Sequence, residues 1–196
     1  MKGLAMKETI IYGGAFYPPT RAHEAILQAC IDYAEPRQAD VWLLPSANRQ
    51  DKTIDATRER RLELCEALCR DVVRRTVTVA VNTMELNRDK PTETYDTVCE
   101  LAADNEDRTF TWVFGSDSVA TMRSWSRGEW LHDNLSMLVI ERSGTPQTQL
   151  GANAVRLQVE AGDMSSTELR RRIRAGEDYT PLVGAHVGAI LAIPVV

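Results

Sequence analysis

Three short stretches carry residues whose types and spacing suit anion chemistry. GGAFYPPTRAH, from Gly13 to His23, places two glycines, two prolines, a threonine and a histidine between an apolar run and a helical pattern. Gly13 and Gly14 have no Cβ to hold a nucleotide off the backbone, and Thr20 and His23, three apart at a helix start, share one face. A hydroxyl and an imidazole so placed can both donate to one phosphate, or can serve as a capped turn with a surface histidine. MSSTELRRR, from Met164 to Arg172, puts Ser165, Ser166 and Thr167 at a helix N-terminus with Arg170 one turn on. That is either an anion site of hydroxyls, free amides and a guanidinium, or a capping box with Thr167 as cap and a solvated arginine face. VFGSDS, from Val113 to Ser118, ends an apolar strand at Gly115 and sets Asp117 in a loop. Its carboxylate can accept from ribose hydroxyls, help hold a hydrated Mg²⁺, or cap the following helix.

Such groups act together only if the chain brings them to one place. Short runs rich in β-branched residues predict strands over Thr9–Tyr12, Val41–Leu44, Val77–Val81, Phe110–Phe114, Met137–Ile140 and Val155–Val159. Helical spacing predicts helices over Ala22–Tyr33, Arg58–Val73 and Tyr95–Ala103, with Thr57 and Thr92 as N-caps, then a basic helix over Thr167–Arg174 and a short one over Gly184–Leu191. The nearly continuous apolar strands suit a sheet buried on both faces. Their alternation with helices implies an α/β fold: a doubly wound, Rossmann-like parallel sheet with helices on both faces and a small C-terminal helical portion. Ligands of such sheets bind beyond the carboxyl ends of the strands, where all three stretches fall. The first stretch is not G-x-G-x-x-G, which argues against a dinucleotide-dependent dehydrogenase.

The 196 residues suit one domain, residues 1–196, with 165–196 as the phosphate-binding helix and helical portion. Residues 1–6 are expected to be a flexible N-terminal tail, since Met6 is a second plausible start. A net charge of −5 argues against nonspecific binding to nucleic acid or anionic membranes. No apolar run approaches the roughly 20 residues of a membrane span, and a cytoplasmic protein is expected. Cys30, Cys65, Cys69 and Cys99 complete no zinc spacing and are expected to be reduced, buried thiols.

In this order the three stretches resemble the HxGH-type nucleotidyltransferases, and the nicotinate-mononucleotide adenylyltransferase family in particular. Three further segments carry the likeness through most of the chain: LPSANRQDK, ELNRDKPTETYDT and SWSRGEWL. The resemblance implies that ATP and a pyridine mononucleotide bind side by side, the mononucleotide phosphate attacking the α-phosphorus of ATP to release pyrophosphate. It implies that His23 and Thr20 are catalytic, meeting the α-phosphate, and that Gly13, Gly14, Ala15, Phe16, Gly115 and Asp117 bind ATP. Ser165, Ser166, Thr167 and Arg170 would hold its outer phosphates. Lys52, Glu93, Thr94 and Trp125 would bind the mononucleotide, Trp125 by stacking on the pyridine ring or else by packing in the core. Mg²⁺ would accompany ATP without a direct protein cage, Asp117 reaching it through water. The pattern is broken where Tyr17 replaces Asp or Asn, where Arg49, Gln50 and Asp51 replace Pro-Pro-His, and where Glu93 replaces tyrosine. A carboxylate at 93 would repel a nicotinate if it pointed inward, favouring nicotinamide mononucleotide. Phosphopantetheine is a rival acceptor, and a nucleotide-binding regulatory module without turnover is a rival of another kind.

Overall fold

The computed structural model describes residues 6–47, 54–88, 93–141, 149–160, 162 and 164–193. Six strands, β1 (Lys7–Gly14), β2 (Asp40–Pro45), β3 (Val79–Val81), β4 (Arg108–Gly115), β5 (Met137–Glu141) and β6 (Ala154–Gln158), pair in the order β3-β2-β1-β4-β5-β6. Every pairing is parallel. The chain winds outward from β1 in one direction through β2 and β3, then returns to β4 on its other side. The winding therefore reverses between β1 and β4, and a crevice opens beyond their carboxyl ends, at Gly14 and Gly115.

Successive residues of β1 face opposite layers. Ile10 and Tyr12 pack with Leu27 and Ile31 of α1 (Arg21–Ala34) and Leu64 and Leu68 of α2 (Arg58–Asp71). Ile11 packs on the other side with Leu101 of α3 (Thr94–Asp104), Val119 of α4 (Ser116–Thr121) and Leu131 of α5 (Gly128–Asn134). The chain ends with α6 (Ser166–Ala175) and α7 (Ala185–Leu191), whose Leu169 and Val187 join the first of these layers. Far from the crevice, the Asp40 carboxylate pairs with Lys7 at 2.7 Å and Arg108 at 2.8 Å. Burial alone would raise its pKa, but the hydrogen bonds from Lys7 and Arg108 outweigh it and hold the carboxyl below the usual range. Its pairing thus stabilises β1, β2 and β4 at neutral pH, and that contribution is lost only in acid.

Local chemistry moves some expected boundaries. Thr57 caps α2 by accepting from the Arg60 N–H at 3.2 Å, whereas Ser165 rather than Thr167 caps α6, accepting from the Glu168 N–H at 3.1 Å. The spacing Ser165-x-x-Glu168 is that of a capping box, and it starts the helix one residue early. Thr92 lies outside the described residues, and Glu93 occupies the N-cap of α3. The third strand begins at Val79 rather than Val77, because the Val77 N–H closes a turn onto the Arg74 carbonyl. The helices α4 and α5, of 6 and 7 residues, are too short to show a period in the sequence. Three cysteines are buried, as expected, but Cys99 is exposed. Burial pushes the Cys30 and Cys65 thiols up to about 12 and that of Cys69 to about 11, so none is a thiolate at neutral pH.

The C-terminal helix is held by one buried carboxylate. Asp71, at the end of α2, accepts from the N–H groups of His186 at 2.8 Å and Val187 at 3.1 Å, and its Oδ1 lies 2.8 Å from His186 Nδ1. Gly184 makes this approach possible, since a Cβ there would stand 2.2 Å from Asp71 Oδ2. Gly184→Ala is expected to displace the carboxylate and lower stability by about 1–3 kcal/mol, the range for a lost buried acceptor. Urea unfolding measures it, and an unchanged midpoint would contradict the close packing.

Candidate functional site

The turn from β1 into α1 is built around Phe16. Its φ of 45° is left-handed, a conformation costing about 1–2 kcal/mol outside glycine. Its ring is 1% exposed, and burial of a phenylalanine contributes about 1.5–3 kcal/mol in return. The ring meets Tyr12 edge-on at 5.1 Å and His23 at 5.5 Å. It also lies under Gly14, where a Cβ would approach it to 3.1 Å. Gly14 therefore has a packing reason to be glycine, whereas a Cβ on Gly13 would meet only the Leu44 carbonyl at 3.9 Å.

Thr20 is the N-cap of α1, and its backbone N–H donates to His23 Nδ1 at 3.1 Å. An N–H can only donate, so Nδ1 carries a lone pair and the imidazole proton sits on Nε2. The helix cap thus fixes the tautomer. Thr20 is 1% exposed; its hydroxyl lies 2.9 Å from the same Nδ1 and 3.2 Å from the Met164 carbonyl, to which it donates.

That last bond begins a seam between two motifs far apart in sequence. Ser166 donates through its hydroxyl to the Pro18 carbonyl at 2.9 Å, and Arg170 donates through Nη1 to the Tyr17 carbonyl at 2.7 Å. Arg170 Nη2 also reaches Thr167 Oγ1 at 3.2 Å. The structure thereby brings Thr20, His23, Ser165, Ser166, Thr167 and Arg170 together at the mouth of the crevice. Tyr17, one of the departures from the family pattern, uses its hydroxyl to reach the Asp55 carbonyl at 2.6 Å and its backbone to hold Arg170.

Across the crevice, Gly115 ends β4 and forms the N-cap of α4. Asp117 stands in the first turn of that helix rather than in a loop, because helix begins immediately at Ser116, and its side chain is exposed. Gly13, Gly115, Ser116 and Asp117 line a cavity of about 260 Å³ between β1 and β4. Among the described residues no group of three His, Cys, Asp or Glu side chains could hold a metal ion, and no helix is long and apolar enough to cross a membrane.

The expected acceptor residues lie on α3 and on the loop before α5. Glu93 is exposed at the N-cap of α3, and Thr94 is that helix's first residue. Trp125 is partly buried and meets Phe114 of β4 at 6.0 Å, so it joins the core edge while keeping part of its ring outside. Its loop is fixed by Arg123, which bonds Glu129, the Asp133 carboxylate at 2.9 Å and His132 Nδ1 at 2.9 Å. An edge-to-face contact of Tyr95 with Trp130, at 5.2 Å, joins α3 to α5. Lys52, with Arg49, Gln50 and Asp51, lies outside the described residues.

Two groups of residues escaped the sequence reading of the site. Glu85, Thr97 and Arg88 form a chain in which Thr97 donates to Glu85 at 2.6 Å and Arg88 donates to Thr97 at 3.0 Å. Burial raises the Glu85 carboxyl, against the lowering influence of Thr97, Arg88 and Arg61. Their motif was visible, but the burial that makes them a unit was not. Arg61 of α2 is 3% exposed and donates through Nη2 to the carbonyls of Ala15, at 3.1 Å, and Ser46. Its signal was an arginine on the stripe shared with Leu64, Cys65 and Leu68, all buried.

Residues 11–172 match the family model described as cytidylyltransferase-like. The chain is 30% identical to a probable nicotinate-nucleotide adenylyltransferase of Bordetella petrii, over 95% of this chain and 97% of the relative. It is 32% identical to one of Anaeromyxobacter dehalogenans, over 90% and 89%. Among solved structures, it superposes with a TM-score of 0.80 on the Plasmodium falciparum nicotinic acid mononucleotide adenylyltransferase complexed with NaAD, at 20% identity over 94% of each chain.

Proposed function

The chain belongs to the cytidylyltransferase-like family, and from that membership we propose that it is a nicotinate-nucleotide adenylyltransferase, joining ATP to nicotinate mononucleotide in NAD biosynthesis. An oxygen of the mononucleotide phosphate forms a bond to the α-phosphorus of ATP, the bond from that phosphorus to the bridging oxygen breaks, and pyrophosphate leaves. Such a transfer needs aligned phosphates and donors aimed at the charge that develops on the α-phosphate oxygens. The observation that carries the reading is the seam between the turn and α6, which sets the Thr20–His23 pair beside Ser166, Thr167 and Arg170.

In this reading the Nε2–H of His23 donates to the α-phosphate, with Thr20 fixing the imidazole through its backbone N–H; the Thr20 hydroxyl, expected from sequence to reach the same phosphate, is instead spent on the Met164 carbonyl. Gly13, Gly14, Ala15, Phe16 and Gly115 line the path of the nucleotide, and Ser165, Ser166, Thr167 and Arg170 hold the β- and γ-phosphates at the N-terminus of α6. Mg²⁺ is the metal we assign. An ion of this kind keeps several waters and would be carried by the nucleotide phosphates, where the exposed Asp117 would hold it through water. When bound, it offsets charge on the leaving pyrophosphate. Trp125 stacks on the pyridine ring, Thr94 offers its helix-start amide to the ring substituent, and Lys52 meets a phosphate. A whole-chain single domain and a cytoplasmic setting complete the reading.

Glu93 is exposed, so water and salt screen its charge and an acid acceptor remains acceptable. Glu93→Tyr is expected to change the ratio of kcat/KM for nicotinate over nicotinamide mononucleotide by less than about threefold, the scale of an exposed charge. A swing from amide to acid preference would make Glu93 the specificity determinant and the amide the natural acceptor. The reading as a whole is tested by pyrophosphate release from ATP with nicotinate mononucleotide, nicotinamide mononucleotide or phosphopantetheine. Release with phosphopantetheine alone would move the protein to another branch of the family, and binding of ATP without release would make it a regulatory module.

A further inference from the structure

Arg61 is the one buried arginine among the described residues, and it is bonded to backbone rather than to a carboxylate. Its Nη2 bridges Ala15, in the turn that follows β1, and Ser46, just after β2. Its Nε is buried without a hydrogen-bond partner, as is the hydroxyl of the same Ser46. A guanidinium in this position is an expensive choice if its task is only to tie two loops, because desolvating a charge costs more than two carbonyl bonds return. A neutral donor could serve that purpose.

We propose that Arg61 is a positioning residue for nucleotide phosphates: its buried, unpaired charge lies behind the Ala15 turn and adds a positive field on the side where the phosphates bind. The charge is held in place by Ala15 and Ser46, so it needs no reorganisation when the ligand arrives. In a poorly solvated interior such a field reaches farther than a surface lysine's would, because little water or salt intervenes. The carboxylate that interacts with it electrostatically is Glu85, whose own charge is disfavoured by burial, and the Cys65 beside it stays a neutral thiol. Burial lowers the pKa of Arg61 itself, but a guanidinium stays charged at neutral pH. The inference rests on the adenylyltransferase reading for the identity of the ligand and extends it to a residue that need not touch that ligand.

The test compares ATP, AMP and adenosine by calorimetry in the parent, Arg61→Gln and Arg61→Lys, with circular dichroism to confirm folding. A field acting on phosphates predicts that Arg61→Gln loses affinity for ATP on the order of tenfold, for AMP less, and for adenosine hardly at all. Arg61→Lys, which keeps the charge, is expected to keep most of the ATP-to-adenosine ratio even if both affinities fall. An equal loss for ATP and adenosine in Arg61→Gln, or no loss, would overturn the proposal and leave Arg61 a loop tie. Should Arg61→Gln not fold, the lysine variant decides: a collapsed ATP-to-adenosine ratio in that folded protein contradicts the proposal. A parent that binds ATP no better than adenosine would overturn the nucleotide reading and this inference together, whereas a parent that binds and turns over ATP isolates the fault in Arg61.

Discussion

His23→Ala is expected to lower kcat by on the order of 10² or more while leaving ATP affinity within a few-fold of the parent. Removing one donor aimed at a transition-state oxyanion typically has an effect of that size, and the geometry supports such a donor. The Thr20 N–H occupies Nδ1, which leaves the proton on Nε2. The alternative role, as a helix-start residue, predicts something different. Losing the bond from Thr20 would cost about 1 kcal/mol of stability, as other N-terminal caps do, and would leave turnover nearly intact. Single-turnover kinetics and a melting curve on the same variant separate the two, and near-normal turnover would reduce His23 to a capping residue.

Arg170→Ala is expected to weaken ATP by roughly 10–100-fold and AMP by far less, because charge-assisted bonds to the terminal phosphates are lost. In the structure Arg170 already donates to the Tyr17 carbonyl and to Thr167. The substitution therefore removes a seam contact as well, and this is why AMP is the needed control. A seam that merely loosens the turn would affect both nucleotides alike. Equal losses measured by calorimetry would thus move Arg170 from the phosphates to the scaffold.

The sequence carried the fold well because each strand is a short apolar run and each long helix has a clear period. All six strands and the order of the long helices were legible from those local signals. The failures share a physical cause, which is that residue types alone do not show which of several neighbouring groups makes a contact, or which face of a short or charged segment is buried. Whether Ser165 or Thr167 caps α6 turns on which hydroxyl reaches the Glu168 N–H, and both sit near a helix start in the sequence. Asp117 reads as a loop residue because a helix of 6 residues leaves no periodic trace. Arg61 reads as one of five charged residues between Thr57 and Cys65, until its burial among Leu64, Cys65 and Leu68 shows that it faces the core.

The site was legible as motifs and not as a site. Nothing local links Thr20 to Met164 or Ser166 to Pro18, 144 and 148 residues apart. The parallel sheet supplies that link by placing the carboxyl ends of β1, β4 and β5 side by side. Conversely, the exposed position of Glu93 settles little in the sequence itself, since a carboxylate before a helix suits an N-terminal dipole as well as a binding pocket.

The most direct measurement of the central claim is a product balance: ATP and nicotinate mononucleotide incubated with the protein and Mg²⁺, with dinucleotide and pyrophosphate quantified together by chromatography and a coupled assay. The account predicts nicotinate adenine dinucleotide and pyrophosphate in equal amounts, both abolished when the mononucleotide is omitted. ATP consumed without dinucleotide, or no pyrophosphate from a protein that demonstrably binds ATP, would contradict it.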